Sequence, residues 1–296
     1  MRKSISTALR MFIPVIACFG LWVVNAPAQT YPVKPIRLLF GYTAGGAIAD
    51  ELVAKSPADG YTLLYAAGST TILPALRPKL PYSVERDFAP VSMVMITSFA
   101  LAVHPSVPVR DVKGLIALAR SQPGKLTFST PGVGSSSHFA GEVFKMMADV
   151  KMLHVPYRGA PEATTAVIAG EVDINFPSVT GALPFVKTGR LKALAVSSAK
   201  RAPTLPSVPT LSESGLTGYE RAGWNGVLAP AGVPKEIIAR LNAAIIKAVN
   251  TPEMKEAIVK QGLVAQTGTP GEFAAFIRDQ LAQNAKVVKF AGIKTE

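Results

Sequence analysis

Gly124-Lys-Leu-Thr-Phe-Ser-Thr-Pro-Gly-Val-Gly-Ser-Ser-Ser-His-Phe-Ala-Gly-Glu142 is the stretch on which the fold turns. Leu126 to Ser129 reads as an apolar strand. It runs into a loop holding Gly132 and Gly134, and Ser135, Ser136, Ser137 and His138 follow where an amphipathic helix begins. A loop of this kind bares backbone N–H groups and hydroxyls at the positive end of a helix, which suits it to a small anion such as a carboxylate. The same residues also read as a Gly-rich turn with a serine N-cap that serves only the helix.

Strand and helix signals alternate on both sides of it. Ile36–Phe40 is predicted as a buried strand, followed by Gly41-Tyr42-Thr43-Ala44-Gly45-Gly46 and a helix from about Ile48 to Lys55. Tyr61–Ala66 is a second strand, ending in Gly68-Ser69-Thr70-Thr71, and Phe88–Val103 is a long apolar stretch with β-character. Val112, Leu115, Ile116 and Ala119 recur at helical spacing before Pro123-Gly124. The helix after the serines should bury Phe139, Val143, Phe144 and Met147. Strands at Leu153–Pro156, Val172–Phe176 and Leu191–Val196 and a helix at Pro161–Ala169 come next.

The last third is helical. Pro234 takes a first helical position, Ile237, Leu241, Ile245 and Ala248 share a face, and Thr269-Pro-Gly-Glu272 is a capping box. The alternation predicts an α/β fold with mostly parallel sheets, in which ligands sit beyond the carboxyl ends of strands. Small polar loops at 43–46, 68–71 and 132–138 fall there, with a fourth candidate at Pro177-Ser178-Val179-Thr180.

The chain has 296 residues and a formal charge of +12. Residues 1–28 read as a secretory signal peptide: Arg2, Lys3 and Arg10 form a basic start, Met11 to Val24 is apolar, and Ala26-Pro-Ala28 supplies the cleavage pattern. Val15-Ile-Ala-Cys18 also resembles a lipoprotein box, a lesser reading because cutting there leaves Phe19 to Val24 as an apolar terminus. Cys18 is the single cysteine, so the exported protein would rely on its core rather than on disulfides. The predicted location is the periplasm. The basic residues are scattered and no nucleic-acid motif is present, which argues against nucleic-acid binding. A basic surface concentrates anions instead.

Ten segments, in order, resemble the Bug-type substrate-binding proteins of tripartite tricarboxylate transporters. They are Tyr31-Pro-Val-Lys-Pro-Ile-Arg, Pro57-Ala-Asp-Gly-Tyr-Thr-Leu-Leu, Lys79-Leu-Pro-Tyr, Asp87-Phe-Ala-Pro-Val, Pro123-Gly-Lys-Leu, Gly134-Ser-Ser-Ser-His-Phe-Ala-Gly-Glu, His154-Val-Pro-Tyr-Arg-Gly, Gly189-Arg-Leu-Lys-Ala-Leu-Ala-Val, Leu205-Pro-Ser-Val-Pro-Thr and Leu228-Ala-Pro-Ala-Gly-Val-Pro. The resemblance implies a two-lobed, Venus-flytrap fold of the type II-like periplasmic-binding-protein class. Lobe 1 would comprise 29–98 plus 222–296 and lobe 2 would comprise 99–221, with hinge crossings near Ser98–Val103 and Tyr219–Val227. It implies a monomer that holds a small carboxylate with main-chain N–H groups and hydroxyls, uses no cofactor or metal, and docks on membrane permease subunits. One feature departs from the family pattern. Phe40 reaches Glu51-Leu-Val-Ala-Lys55 with about one helix and one strand missing, roughly 30 residues by the size of a βαβ unit.

The expected ligand residues are Gly134, Ser135, Ser136 and His138 in the serine loop, Ser69 and Thr70 after the second strand, and Ser178. Tyr42, Gly45 and Gly46 are carried with them, although the missing segment makes Gly45-Gly46 either the ligand loop or a later one. Trp224 reads as a hinge or core aromatic and Asp173 as structural. A serine hydrolase is the rival class, but no Gly-x-Ser-x-Gly elbow, zinc spacing or phosphate loop is present. The chain is therefore not expected to be an enzyme. The same residues also admit a ligand-sensing domain for a signalling partner, or a degraded member that no longer binds.

Overall fold

The computed structural model describes residues 31–40 and 47–293. The signal-peptide reading of 1–28, Cys18, and the candidates Tyr42, Gly45 and Gly46 lie outside these residues. From Lys34 onward the chain forms one compact unit. Its elements run β1 (Arg37–Phe40), α1 (Ala47–Ala54), β2 (Thr62–Ala67), α2 (Gly68–Leu76), α3 (Val84–Asp87), β3 (Phe88–Thr97), β4 (Ala100–Val103), α4 (Val112–Ser121), β5 (Thr127–Thr130), α5 (Ser136–Ala148), β6 (Leu153–Pro156), α6 (Ala160–Ile168), β7 (Ile174–Asn175), α7 (Val179–Lys187), β8 (Lys192–Val196), β9 (Gly223–Pro230), α8 (Lys235–Val249), α9 (Pro252–Lys260), β10 (Leu263–Ala265) and α10 (Pro270–Ala291).

The strands form two five-stranded sheets, ordered β1-β2-β9-β3-β10 and β6-β5-β7-β4-β8. The predicted apolar stretch 88–103 is thus two strands in different sheets, parted at Ser98–Phe99. The chain returns to the first sheet between Val196 and Gly223. The two passages lie side by side: Ser98 Oγ is 2.7 Å from Ser198 Oγ, and the Ser197 hydroxyl accepts from Phe99 N at 2.9 Å.

The α/β class holds, but the sheets are mixed rather than mostly parallel. β1–β2, β5–β6 and β5–β7 are parallel; the pairings through β9, β10, β4 and β8 are antiparallel. The cause is the double passage between sheets: β4 and β9 enter their sheets from the opposite end to the βαβ strands beside them.

Local signals explain most helix boundaries. Ser135, Ser178 and Thr269 cap α5, α7 and α10 through their side chains, and Thr269 with Glu272 completes the expected capping box. Two buried faces differ from expectation. Met147 is exposed while Phe139, Val143 and Phe144 are buried, because α5 ends one residue later and Met147 lies on the side away from β5. α8 buries Ile238, Leu241 and Val249 rather than a face through Ile237 and Ala248. Gly68-Ser-Thr-Thr71, expected as a loop, is the first turn of α2, entered directly from extended Ala67.

Candidate functional site

The serine loop lies where the sequence places it, between β5 and α5. Gly134 has φ +82, open to glycine at little cost, and a Cβ there would approach Leu76 Cδ1 of α2 to 2.9 Å. Ser135 is the N-cap of α5: its hydroxyl accepts from His138 N at 3.1 Å and donates to Gly132 O at 2.8 Å. Ser137 donates to Phe176 O at 2.8 Å. The hydroxyls of Ser135 and Ser137 are therefore committed to backbone. Ser136, half-buried at the first turn of α5, abuts Gly68 so closely that a Cβ on Gly68 would collide with its Oγ.

That contact joins the two sheets. α2 follows β2 of the first sheet and α5 follows β5 of the second, so two helix N-termini meet at Gly68 and Ser136. α2 has no side-chain cap at its start. Its leading N–H groups and those of α5 are the partial positive charges that favour an anion. The bodies also touch where the Thr180 hydroxyl donates to Gln261 O. Ile72 and Leu76 of α2 share a buried apolar cluster with Phe128, Phe139 and Phe144.

The remaining candidates are placed as follows. Ser69 is half-buried at the start of α2. Thr70 is buried, and its hydroxyl bonds Asp50 rather than facing Ser136. Burial lifts the Asp50 carboxyl from 3.8 to about 6, while hydrogen bonds from Tyr82 and Thr70 restrain the rise. Ser178 caps α7, accepting from Gly181 N at 3.1 Å, and sits beside the first passage, where Val179 N donates to Ser98 O at 2.9 Å. It also lines a cavity of about 300 Å³ with Pro161, Thr164 and Phe185.

His138 lies beneath the loop, 2% exposed. Its Nδ1 accepts from Gly134 N at 3.4 Å, and its ring stacks on His154 at 4.0 Å. Burial pushes His154 down to about 3, so that ring is neutral, and its Nε2 is 2.6 Å from the Thr130 hydroxyl. Burial also works against the charge of Glu142, but His138 and Lys145 outweigh it and hold its carboxyl below the usual range. This group supports the loop from below. It does not pair an imidazole with a serine hydroxyl, as a hydrolase would need. Asp173 is structural as expected, accepting from the Thr127 N–H and hydroxyl, both at 2.8 Å.

Two further residues lie near the Gly68–Ser136 contact, one of which, Arg221, the sequence does not single out. Trp224 on β9, read from the sequence as a hinge or core aromatic, is 2% exposed and packs edge-on against Phe273 and Phe276. Its Nε1 has no hydrogen-bond partner among the described residues, and it lies 3.8 Å from where a Cβ on Gly68 would be. Arg221 is buried in the returning passage, and burial pulls its guanidinium down to about 10. It donates to Gln280 Oε1 at 2.9 Å and to Asn284 Oδ1, and Asn284 Nδ2 donates to Thr71 O at 2.8 Å. A cation is thus bound through neutral amides behind the first turn of α2.

Two α/β sheets joined by two adjacent passages, with a helix start from each meeting at one point, define a two-lobed solute receptor of the periplasmic-binding-protein class. A sequence profile of the tripartite tricarboxylate transporter family receptors (TctC) matches residues 41–293, and the chain belongs to that family. BugT of Bordetella pertussis is 29% identical, the match covering 95% of this chain and 98% of BugT. That match runs over 319 positions, more than this chain contains, so BugT carries residues that are missing here. Among solved structures, an R. palustris protein with adipate superimposes with TM-score 0.76 at 29% identity, covering 89% of this chain and 99% of its own. MatC from Rhodopseudomonas palustris with bound malate gives 0.70 at 29% identity, covering 83% and 85%. Family and fold are those of substrate-binding proteins, which are not enzymes. Among the described residues no helix is long and apolar enough to cross a membrane.

Proposed function

We propose that this chain is a periplasmic receptor that captures a small carboxylate between two lobes and delivers it to the membrane subunits of a tripartite tricarboxylate-type transporter. The observation that carries this reading is the meeting of the α2 and α5 N-termini, one from each sheet, at Gly68 and Ser136. Backbone N–H groups at helix starts, with the Ser136 hydroxyl, hold a carboxylate through charge-assisted bonds without an opposing side-chain charge. The adipate and malate named with two structural relatives support the ligand class. The lobes are residues 29–98 plus 222–296 and residues 99–221. They part about the two adjacent passages to admit the ligand and close to bring Gly68 to Ser136.

A calorimetric screen of the full chain against adipate, malate, citrate and acidic amino acids tests the reading. Binding of at least one di- or tricarboxylate is expected, weakened about tenfold in Ser136→Ala, or about 1.4 kcal/mol. Silence across the screen from a folded sample would remove the receptor role. Unchanged affinity in Ser136→Ala would remove this loop from the site.

A further inference from the structure

We propose that the indole N–H of Trp224 is a direct donor to the ligand's carboxylate, a role that rests on the receptor reading above. The indole Nε1 carries a hydrogen and no acceptor lone pair, so its only useful partner is an acceptor. Trp224 is 2% exposed, yet Nε1 has no partner among the described residues. A buried donor without a partner is costly, and such groups call for an explanation.

Its position supplies one. Nε1 lies 3.8 Å from where a Cβ on Gly68 would be, and that position also abuts Ser136 Oγ, so the indole nitrogen lies beside the place where the two lobes meet. The ring cannot turn elsewhere easily. Phe273 stands edge-on to it at 5.6 Å and Phe276 at 5.8 Å, and the backbone is held in β9 opposite Ile96. The indole is thus a fixed donor on the first lobe, beside the Gly68–Ser136 contact. A carboxylate oxygen received there would lie within reach of the indole N–H, the Ser136 hydroxyl and the uncapped start of α2.

The charge behind the site fits the same ligand. Arg221 is buried and held by the neutral amides of Gln280 and Asn284, with no ion pair to a carboxylate among the described residues. Its charge stands one side chain away from α2, since Asn284 bonds Thr71 O. Buried charge of one sign without a partner favours a ligand of the other sign nearby. Arg221 itself makes no bond to the ligand; it sets the sign of the field while Trp224 makes the bond.

Trp22 and Trp224 are the two tryptophans, so Trp22→Phe leaves one indole to observe. In that full-length background, adipate, malate and citrate would be added in turn while the indole 15N–1H signal is followed. Binding constants would be measured by calorimetry with and without Trp224→Phe. The expected results are a downfield move of the indole proton with the carboxylate that binds, and an affinity about tenfold to a hundredfold weaker in Trp224→Phe, the range for a hydrogen bond to a charged group. Binding in calorimetry with a stationary indole signal would overturn the proposal and leave the receptor reading intact. So would a moving signal with undiminished affinity in Trp224→Phe. If no carboxylate binds the parent chain, the receptor reading itself fails and the proposal falls with it. Should Trp224→Phe fail to fold, the indole signal of the parent decides alone.

Discussion

The two sheets share a strand count and a helix-on-sheet plan, and each exposes an apolar side chain on an edge strand, Leu153 on β6 as well as Phe40 on β1; they differ in what lies beside that edge. In the second sheet, β5 lies inside the edge strand β6, Phe128 on it is fully buried, and its ring fills the space beside Gly141, where a Cβ would come within 2.5 Å of it. In the first sheet, β1 is an edge strand with Leu38 and Phe40 exposed, and α1 beside it in sequence exposes Ile48 (64%) and Leu52 (56%). The exposed residues of β1 and α1 flank the point after Phe40 at which the resemblance implies about one helix and one strand fewer than the family pattern. The serine loop, the helix start it feeds and the histidines under it belong to the second body. To the proposed site the first body contributes α2 and Trp224, both downstream of Phe40.

The largest expected effect sharpens this contrast from the second body. Phe128→Ala would leave a void bounded by Gly141, the tilted His154 ring at 4.9 Å and Lys145 over the ring face at 5.5 Å. A loss of about 3–5 kcal/mol in denaturant unfolding is expected. A loss below about 1 kcal/mol would mean that this body is no better packed than the first.

Next comes a pH test inside the first body. The folded carboxyl of Asp50 titrates near 6, above its ordinary 3.8, so the unfolded chain gives up this proton first. The sign follows: as pH rises from about 4 to about 6 the unfolded state gains, and stability from this group is lost and stays lost above that window. The loss amounts to about 2–3 kcal/mol at pH 7. Asp50→Asn cannot ionise, so its stability relative to the parent should climb across that window. Parallel pH profiles for the two proteins would show that folding does not raise the Asp50 carboxyl.

Much of the fold was legible because its signals are local. Ser135 and Thr269 announce their helices by hydroxyls at the cap, and the strand read at Leu126–Ser129 is found at Thr127–Thr130, whereas the helix that Ser178 caps starts in what the sequence reads as a polar loop. What escaped depends on distant partners. Gly68-Ser-Thr-Thr71 has poor helix propensity and becomes helical because Thr70 bonds Asp50 and Thr71 O accepts from Asn284 on α10. β10 is three residues long and exists through its pairing with β3. At the site, the serine loop was visible as a motif, but the role of each hydroxyl was not: the helix claims that of Ser135, and Ser136 meets the other lobe. Trp224 was legible only as a hinge or core aromatic. Its unpaired N–H is a property of the packed molecule, not of the sequence around it.

The smallest effect tests whether the exposed edge of the first body is truly bare. Ile48 and Leu52 stand one turn apart on α1, so Ile48→Glu with Leu52→Lys places a Glu four residues before a Lys and an acid in the first helical turn, both mildly favourable. Neither side chain contributes much buried area as it stands, since both are more than half exposed. The double variant should therefore change unfolding free energy by no more than about 0.5 kcal/mol in either direction, as for surface sites generally. A loss above about 1.5 kcal/mol, the scale of burying one Leu or Ile, would mean that this face is covered in solution. The α1 face would then be packed in solution, and the contrast between the two sheets would disappear.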